Sequence, residues 1–364
     1  MKLGYARFFH NGKKRNIMKC IKILALALAF IAVSVQPAQS QGCAAPAADG
    51  GITVFGFLQP QFETRFNSDN TEQSFTFNRA RIGVTGTVPY DFLYYVVLET
   101  GPIFFNDAPF LLDAFITYQR FSWAQISLGQ FKSPFTLEMS TACHSLNTIF
   151  RSQAVNNLVS PDRDLGLMVS GRLFSDRFFY SVALTNGTGR GLRDNNNSKT
   201  FHSRVQVSPL HFLTLGGGMQ YGAHPPAADG VTTDDTRFRW AADVQFNFRN
   251  LSLIGEYVSG QDKGSFVISP GCGIPPEIIT GDLNRSGFYF TAMYRTPWNI
   301  QPVFRYENWN TDLSAPNAIE HTMVFGLNYW FNEWTRLQVN YLYRAEERLE
   351  IFNDEFIVQL QVVF

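Results

Sequence analysis

Between residues 53 and 364 the chain alternates in two ways at once: apolar and polar residues alternate within segments, and long and short connections alternate between them. The stretch TRFRWAADVQFNF (236–248) shows the first pattern. Phe238, Trp240, Ala242, Val244, Phe246 and Phe248 share one parity, and Arg237, Arg239, Ala241, Asp243, Gln245 and Asn247 share the other. A period of two places such sets on opposite faces of a β-strand. The same reading predicts strands over 53–65, 74–88, 92–100, 112–120, 124–131, 165–174, 178–185, 199–208, 212–222, 236–248, 251–258, 286–295, 300–308, 321–330, 335–344 and 354–364, about 16 in all and an even number. No amphipathic helix stands out among them.

The connections carry the second pattern. Long links at 66–73, 101–111, 132–164, 186–198, 223–235, 259–285, 309–320 and 345–353 alternate with short ones at 89–91, 121–123, 175–177, 209–211, 249–250, 296–299 and 331–334. A soluble sandwich has no reason for this asymmetry. A transmembrane barrel, with short periplasmic turns and longer external loops, has it as a rule. The expected fold is therefore all-β: a transmembrane antiparallel up-and-down β-barrel spanning 52–364.

Aromatic placement agrees. Tyr90, Phe92, Trp123, Phe178, Phe212, Trp298, Trp330 and Trp334 lie at or beside the short turns, where a girdle at the membrane interface would need them. The closing stretch FIVQLQVVF puts Phe356, Val358, Leu360, Val362 and Phe364 on one face. It resembles the terminal strand of outer-membrane barrel proteins, which the barrel assembly machinery reads.

The start of the chain is different. Ile21–Val35 is an apolar run of about 15 residues, short for a membrane-spanning helix. It follows Lys19 and Lys22 and ends in Pro37-Ala38-Gln39-Ser40, as in a secretory signal peptide cut after Ser40. Residues 1–40 are read as signal peptide with an upstream extension before Met18, and 41–51 as a short linker. The signal region holds seven Lys or Arg and no Asp or Glu. The 30 basic and 30 acidic residues of the full chain thus leave the mature part about seven charges negative, which argues against a nucleic-acid partner. Cys43, Cys143 and Cys272 remain after cleavage, without metal-like spacing. A Cys143–Cys272 disulfide and loop thiols without a role are both open readings. Nothing in the sequence calls for a cofactor.

If the aromatic parity meets lipid, the opposite parity lines water. That face carries Arg65, Arg79, Arg81, Lys132, Arg172, Arg204, His202, Arg237, Arg239, Arg295, Arg305, Arg336 and Arg344, against Glu63, Glu99, Asp113, Asp243, Glu256, Glu307 and Glu355. Further acids, Asp262 among them, fall in the predicted outer loops. A basic lumen suits an anion-preferring channel. Inward arginines also serve simply to pair with acids, as Arg305 with Glu307 or Arg237 with Asp243 would. The connection at 132–164 is too long to be idle. Packed into the lumen, it would bring Lys132, His144, Arg151 and Arg163 toward the permeation path; the rival reading is an external loop.

Three stretches, FTFNRARIGVTGTV (75–88), ISLGQFKSPFTLE (126–138) and DRDLGLMVSGRL (162–173), resemble the phosphate-selective porin O and P family. The resemblance extends more weakly to Phe364. It implies a homotrimeric barrel of about 16 strands in the outer membrane, with the third loop folded inside and small anions, phosphate among them, passing a basic constriction. By motif position Arg79, Arg81, Lys132 and Arg163 carry over as candidates. With Arg151, Arg204, Arg237, Arg239 and Arg305 they form the expected anion-binding and pore-lining set. At 147–157, NTIFRSQAVNN places Phe150-Arg151 where relatives often have a Glu-Arg pair.

Other classes are weaker. A general or cation-preferring diffusion porin fits the acidic mature chain, and a structural or adhesive barrel would have a plugged lumen. A barrel hydrolase would need His144, Ser145 and Asp162 to cooperate, yet adjacent loop residues make a poor nucleophile and base. The chain is therefore not expected to be an enzyme.

Overall fold

The computed structural model describes residues 51–67, 71–88, 91–194, 196–224, 235–268, 277–347 and 351–364, with backbone alone at 265–268 and 277–280. The expected signal peptide, the linker before Gly51, Tyr90 and the pairing of Cys143 with Cys272 lie outside these residues. The described residues form β1 (Thr53–Phe66), β2 (Thr71–Val88), β3 (Phe92–Glu99), β4 (Phe110–Phe121), β5 (Ala124–Lys132), β6 (Arg163–Leu173), β7 (Phe178–Thr185), β8 (Thr200–Leu210), β9 (Leu213–His224), β10 (Asp235–Phe248), β11 (Leu251–Ile268), β12 (Glu277–Tyr294), β13 (Ile300–Asn310), β14 (Ile319–Trp330), β15 (Thr335–Glu346) and β16 (Glu355–Val363). Each pairs antiparallel with its sequence neighbours, and β1 pairs with β16 to close the barrel. Beyond the last strand pair, the Gly56 and Phe364 backbones exchange N–H···O bonds at 2.8 and 3.0 Å.

The two parities separate as expected. On β10, Phe238, Trp240, Val244 and Phe248 are exposed on the outer wall, while Arg239, Ala241 and Asp243 are buried inside. On β16, Leu360, Val362 and Phe364 face out and Ile357, Gln359 and Gln361 face in.

Four expectations are corrected. First, β11 and β12 continue past 258 and before 286, and their ladder runs to Ile268 opposite Glu277. Residues 259–264 are polar or glycine on both parities, so the alternation fades there although backbone pairing persists. Second, Asp262 consequently sits on β11 rather than in an outer loop, and it pairs with Arg239 and Arg285. Third, Asp243 pairs with Arg204 at 2.9 Å, not with Arg237. Fourth, Trp330 lies opposite the inward Arg336 and between two guanidinium groups, Arg295 at 3.6 Å and Arg336 at 5.5 Å from its ring. Attraction to cations holds that ring on the inner wall instead of in an outer girdle.

Residues 133–162, here the inner loop, settle the choice left open above. They fold into the barrel and make a circuit of its inner wall. The base is closed by Ser133, whose N–H and hydroxyl donate to the carbonyls of Asp162 and Pro161 at 3.0 and 2.7 Å. Phe135 then reaches β8 and β9, where Arg204 donates to its carbonyl at 3.3 Å. That carbonyl rests against Gly218, where any Cβ would collide with it. A short helix, α1 (Leu137–Ser140), follows. Its Leu137 and Glu138 N–H groups donate to the Glu256 carboxylate of β11, and the Glu138 side chain pairs with Arg305 of β13.

From there the loop crosses to the other side. Cys143 meets Arg81 of β2, and the His144 carbonyl accepts from Arg336 of β15 and Gln361 of β16 at 2.9 and 3.1 Å. Asn328 of β14 donates to the Asn147 carbonyl, and the Ile149 N–H donates to Asn340 of β15, both at 2.9 Å. A second short helix, α2 (Gln153–Leu158), begins with the Gln153 N–H on Glu307 of β13. It ends with the Leu158 carbonyl accepting from Arg239 of β10.

Apolar burial fixes the same path. Phe135, Met139, Ala154, Val155 and Leu158 pack against Ala241, Val258, Tyr289 and Trp309 of β10–β13. Ile149 packs against Val324, Leu342 and Ile357. These wall residues have lumen parity but are apolar because the loop covers them.

Two substitutions test this arrangement. Ala242→Arg, on the exposed mid-strand face, is expected to cost about 2–4 kcal/mol in urea unfolding from lipid bilayers, whereas Gln245→Arg on the opposite parity should cost far less. Glu138→Ala leaves Arg305 with Glu307 alone and should lower stability by about 3 kcal/mol. It should also raise single-channel conductance as the loop loosens.

Candidate functional site

The basic side chains expected in the lumen fall into two groups according to what balances them. Three on β8–β13, Arg204, Arg239 and Arg305, are neutralised and support the inner loop. Arg204 pairs with Asp243, Arg239 with Asp262, and Arg305 with Glu138 and Glu307, all almost fully buried. The same three arginines donate to the Phe135, Leu158 and Phe150 carbonyls. Charge and directionality both serve here: a planar guanidinium satisfies a carboxylate and still reaches a loop carbonyl. Arg237 is half-buried, and its guanidinium lies 3.4 Å from the His224 ring nitrogen.

The second group lies on the other side, where β2, β5, β6 and β15 meet the middle of the inner loop. Arg81 keeps Glu99 at 2.7 Å through Nε and donates to Cys143 Sγ at 3.0 Å through Nη1. Arg163 binds Asp113 and Asp162, each at 2.9 Å, while its buried Nη2 has no partner. Lys132 donates to the Thr141 carbonyl at 3.1 Å.

Three cations in this region have no carboxylate partner among the described residues. Arg79 donates to Gln59 Oε1 at 3.0 Å. Arg151 donates to the Glu138 and Thr141 carbonyls and, at 3.3 Å, to Cys143 Sγ. Arg336 donates to the His144 carbonyl and Gln361, and its Nε is buried without a partner.

Positive charge thus gathers at the mid-loop, whereas Arg204, Arg239 and Arg305 on the facing wall are balanced by carboxylates. His144 adds nothing to it at neutral pH. Burial pushes its pKa down from the ordinary histidine value; Cys143 opposes this, and Arg336, Lys132 and Arg81 push it further down. Ser145 is exposed and Asp162 is engaged by Arg163 and Arg190, so these neighbours do not assemble as a hydrolytic triad.

An open cavity of ≈ 100 Å³ adjoins Arg151 between the loop and β13–β15, with Arg344, Glu307, Gln153, Asn156 and Asn340 among its walls. Cations, amides and one carboxylate converge there, so it is polar enough to hold water or a small solute.

Several residues that build this site have roles that the sequence did not reveal. Glu138 and Glu256 clamp α1, Asn328, Gln338 and Asn340 hold the loop carbonyls and amides, and Cys143 lies among the cations. The amides share lumen parity, a usable but unspecific signal. Cys143 sits in a loop without periodicity, and no pattern marks it.

The comparisons with known proteins agree with this architecture. A family model described as phosphate-selective porin O and P matches residues 58–256. Among solved structures, the anion-selective porin from Comamonas acidovorans aligns at TM-score 0.66 and 13% identity, over 86% of this chain and 99% of that one. Salmonella typhi OmpF, in complex with daunomycin, gives 0.64 and 11%, over 87% and 99%. The trimer form of Vibrio cholerae OmpT gives 0.61 and 11%, over 86% and 99%. Identities this low speak to the fold alone. No curated protein matches significantly. The family match covers more than half of the chain and includes the arginine-bearing β2 and the inner loop: the protein belongs to the phosphate-selective porin O and P family, outer-membrane β-barrel channels of bacteria.

Proposed function

We propose that the protein is a passive diffusion channel for small anions, and that oxyanions such as phosphate bind transiently at a basic constriction between the inner loop and β2, β5, β6 and β15. One observation carries the reading: Arg79, Arg151 and Arg336 have no carboxylate partner among the described residues, Arg151 and Arg336 bond to the mid-loop, and Arg79 is close enough to act on Cys143 there. Arg81, Lys132 and Arg163 reinforce them. Within a low-dielectric wall such an excess focuses a positive potential on the passing solute. Guanidinium donors are also matched in geometry to the oxygens of phosphate. Of the expected set, Arg79, Arg81, Lys132, Arg151 and Arg163 are assigned to this constriction. Arg204, Arg239 and Arg305 act indirectly by holding the loop, and Arg237 lies apart.

A second reading, a channel with little ion preference, draws support from the same pairings. The balanced arginines of β8–β13 make the lumen less positive than strand parity alone implies. Assembly as a homotrimer and recognition of the last strand at Phe364 by the barrel assembly machinery belong to the proposal too; one similar fold is described as a trimer form.

The test is a phosphate titration of the chloride current through single channels in planar bilayers. Phosphate should block the wild-type current at saturable concentrations. Arg79→Ala and Arg151→Ala should each raise the half-blocking concentration roughly tenfold, the worth of one charge-assisted hydrogen bond. A chloride current indifferent to phosphate would defeat the binding site.

A further inference from the structure

The constriction contains a potential counter-charge of its own. Cys143 Sγ accepts from Arg81 Nη1 at 3.0 Å and from Arg151 Nη2 at 3.3 Å. Lys132 and Arg79 are also close enough to act on it, as is Arg163. The surrounding groups come from every packed element: the Phe57 side chain from β1, Arg79 and Arg81 from β2, Glu99 of β3 behind Arg81, Lys132 from β5, Arg163 from β6, and His144 and Arg151 from the loop. Glu99 and Asp113 are engaged at the Nε atoms of Arg81 and Arg163. The side chain is 2% exposed, so bulk water scarcely reaches the sulfur.

A neutral thiol is a weak acceptor for two guanidinium groups. Burial pushes the Cys143 thiol up, but Arg81, Lys132, Arg151 and Arg79 together hold it well below the ordinary thiol range. A lowered pKa keeps an acid charged through neutral pH and restores the neutral form only on acidification.

A second observation points to a ligand in the same cluster of cations. The buried Arg163 Nη2 has no partner among the described residues, and the charge of Arg163 acts on both Arg81 and Cys143. This is a desolvated donor left for an oxygen that the protein does not supply.

We infer that Cys143 is a fixed internal anion of the channel: as a thiolate it takes donors of Arg81 and Arg151 that a permeating oxyanion would otherwise take, and so sets how tightly the constriction holds that anion. A conducting site must bind well enough to admit its ion and weakly enough to release it. Five cations around a multivalent oxyanion would favour retention; one built-in negative charge shifts the balance toward release. The transport consequence rests on the anion-channel reading, whereas the ionisation of the sulfur does not.

The first measurement is the ultraviolet difference spectrum between the full-length folded protein and Cys143→Ser, titrated from neutral to acidic pH in detergent. The subtraction removes the contribution of every other cysteine. Thiolate absorbance should be present at neutral pH and disappear only on acidification; its absence at neutral pH would overturn the inference.

The same proteins and Cys143→Asp are then compared in bilayers with inorganic phosphate. Cys143→Ser should be blocked at roughly tenfold lower phosphate, the effect of deleting one nearby charge, and Cys143→Asp should restore block toward the wild-type concentration. Equal sensitivity of all three proteins would overturn the role in transport. If none of them responds to phosphate while the thiolate absorbance persists, the binding-site reading fails, and the role in transport with it, but the charged sulfur stands.

Discussion

Inside a bilayer no water is available to satisfy backbone N–H and C=O groups, and that requirement governs the rest of this structure. Sixteen strands meet it by pairing in sequence order and closing β1 on β16. Closure removes the free edges of the sheet. It also divides the chain's parities into a lipid-facing surface and an enclosed interior. The aromatic and aliphatic side chains of β10 and β16 can stay exposed on the outside because hydrocarbon is their solvent. The charges of the other parity must find partners within the enclosure.

Inside, the inner loop becomes the common partner. It supplies carbonyls to Arg204, Arg239, Arg305 and Arg336, N–H donors to Glu256 and Glu307, and the Glu138 carboxylate to Arg305. Its apolar residues cover Ala241, Val258, Tyr289 and Trp309. The circuit is therefore held by polar and apolar contacts on several sides of the wall at once. Where acids are supplied, to Arg204, Arg239 and Arg305, the charges cancel and the loop is anchored. Where they are not, around Arg79, Arg151 and Arg336, positive charge is left over. The proposed selectivity is a consequence of that uneven distribution, not of the number of arginines in the chain.

Much of this was legible in the sequence, for physical reasons. A strand with lipid on one side and water on the other must alternate, so every strand could be located, and turn length distinguished the two ends of the barrel. Reading failed where the physical contrast disappears. The first residues of β2 are exposed on both faces, and residues 259–264 of β11 are polar or glycine on both parities, so the alternation lapses there while the backbone ladder continues. Trp330 looked like a girdle residue because it lies beside a short turn, but its parity and two flanking arginines place it inside.

The site was less legible than the fold. Parity identifies which charges face inward; it does not say which of them meet. Asp262 lay in an apparent loop and turned out to neutralise Arg239. Glu256 lies more than a hundred residues from the α1 amides that it binds. Cys143 could be placed only once the loop had been followed to Arg81.

The central claim is that an uncompensated positive cluster at the inner loop governs which ions cross. The most direct test is the zero-current potential across a bilayer holding the purified channel under a potassium chloride gradient. The account predicts a reversal potential displaced toward that of chloride. Displacement toward potassium would contradict it, because the charges left unpaired around Arg79, Arg151 and Arg336 would then not be the ones a permeating ion meets.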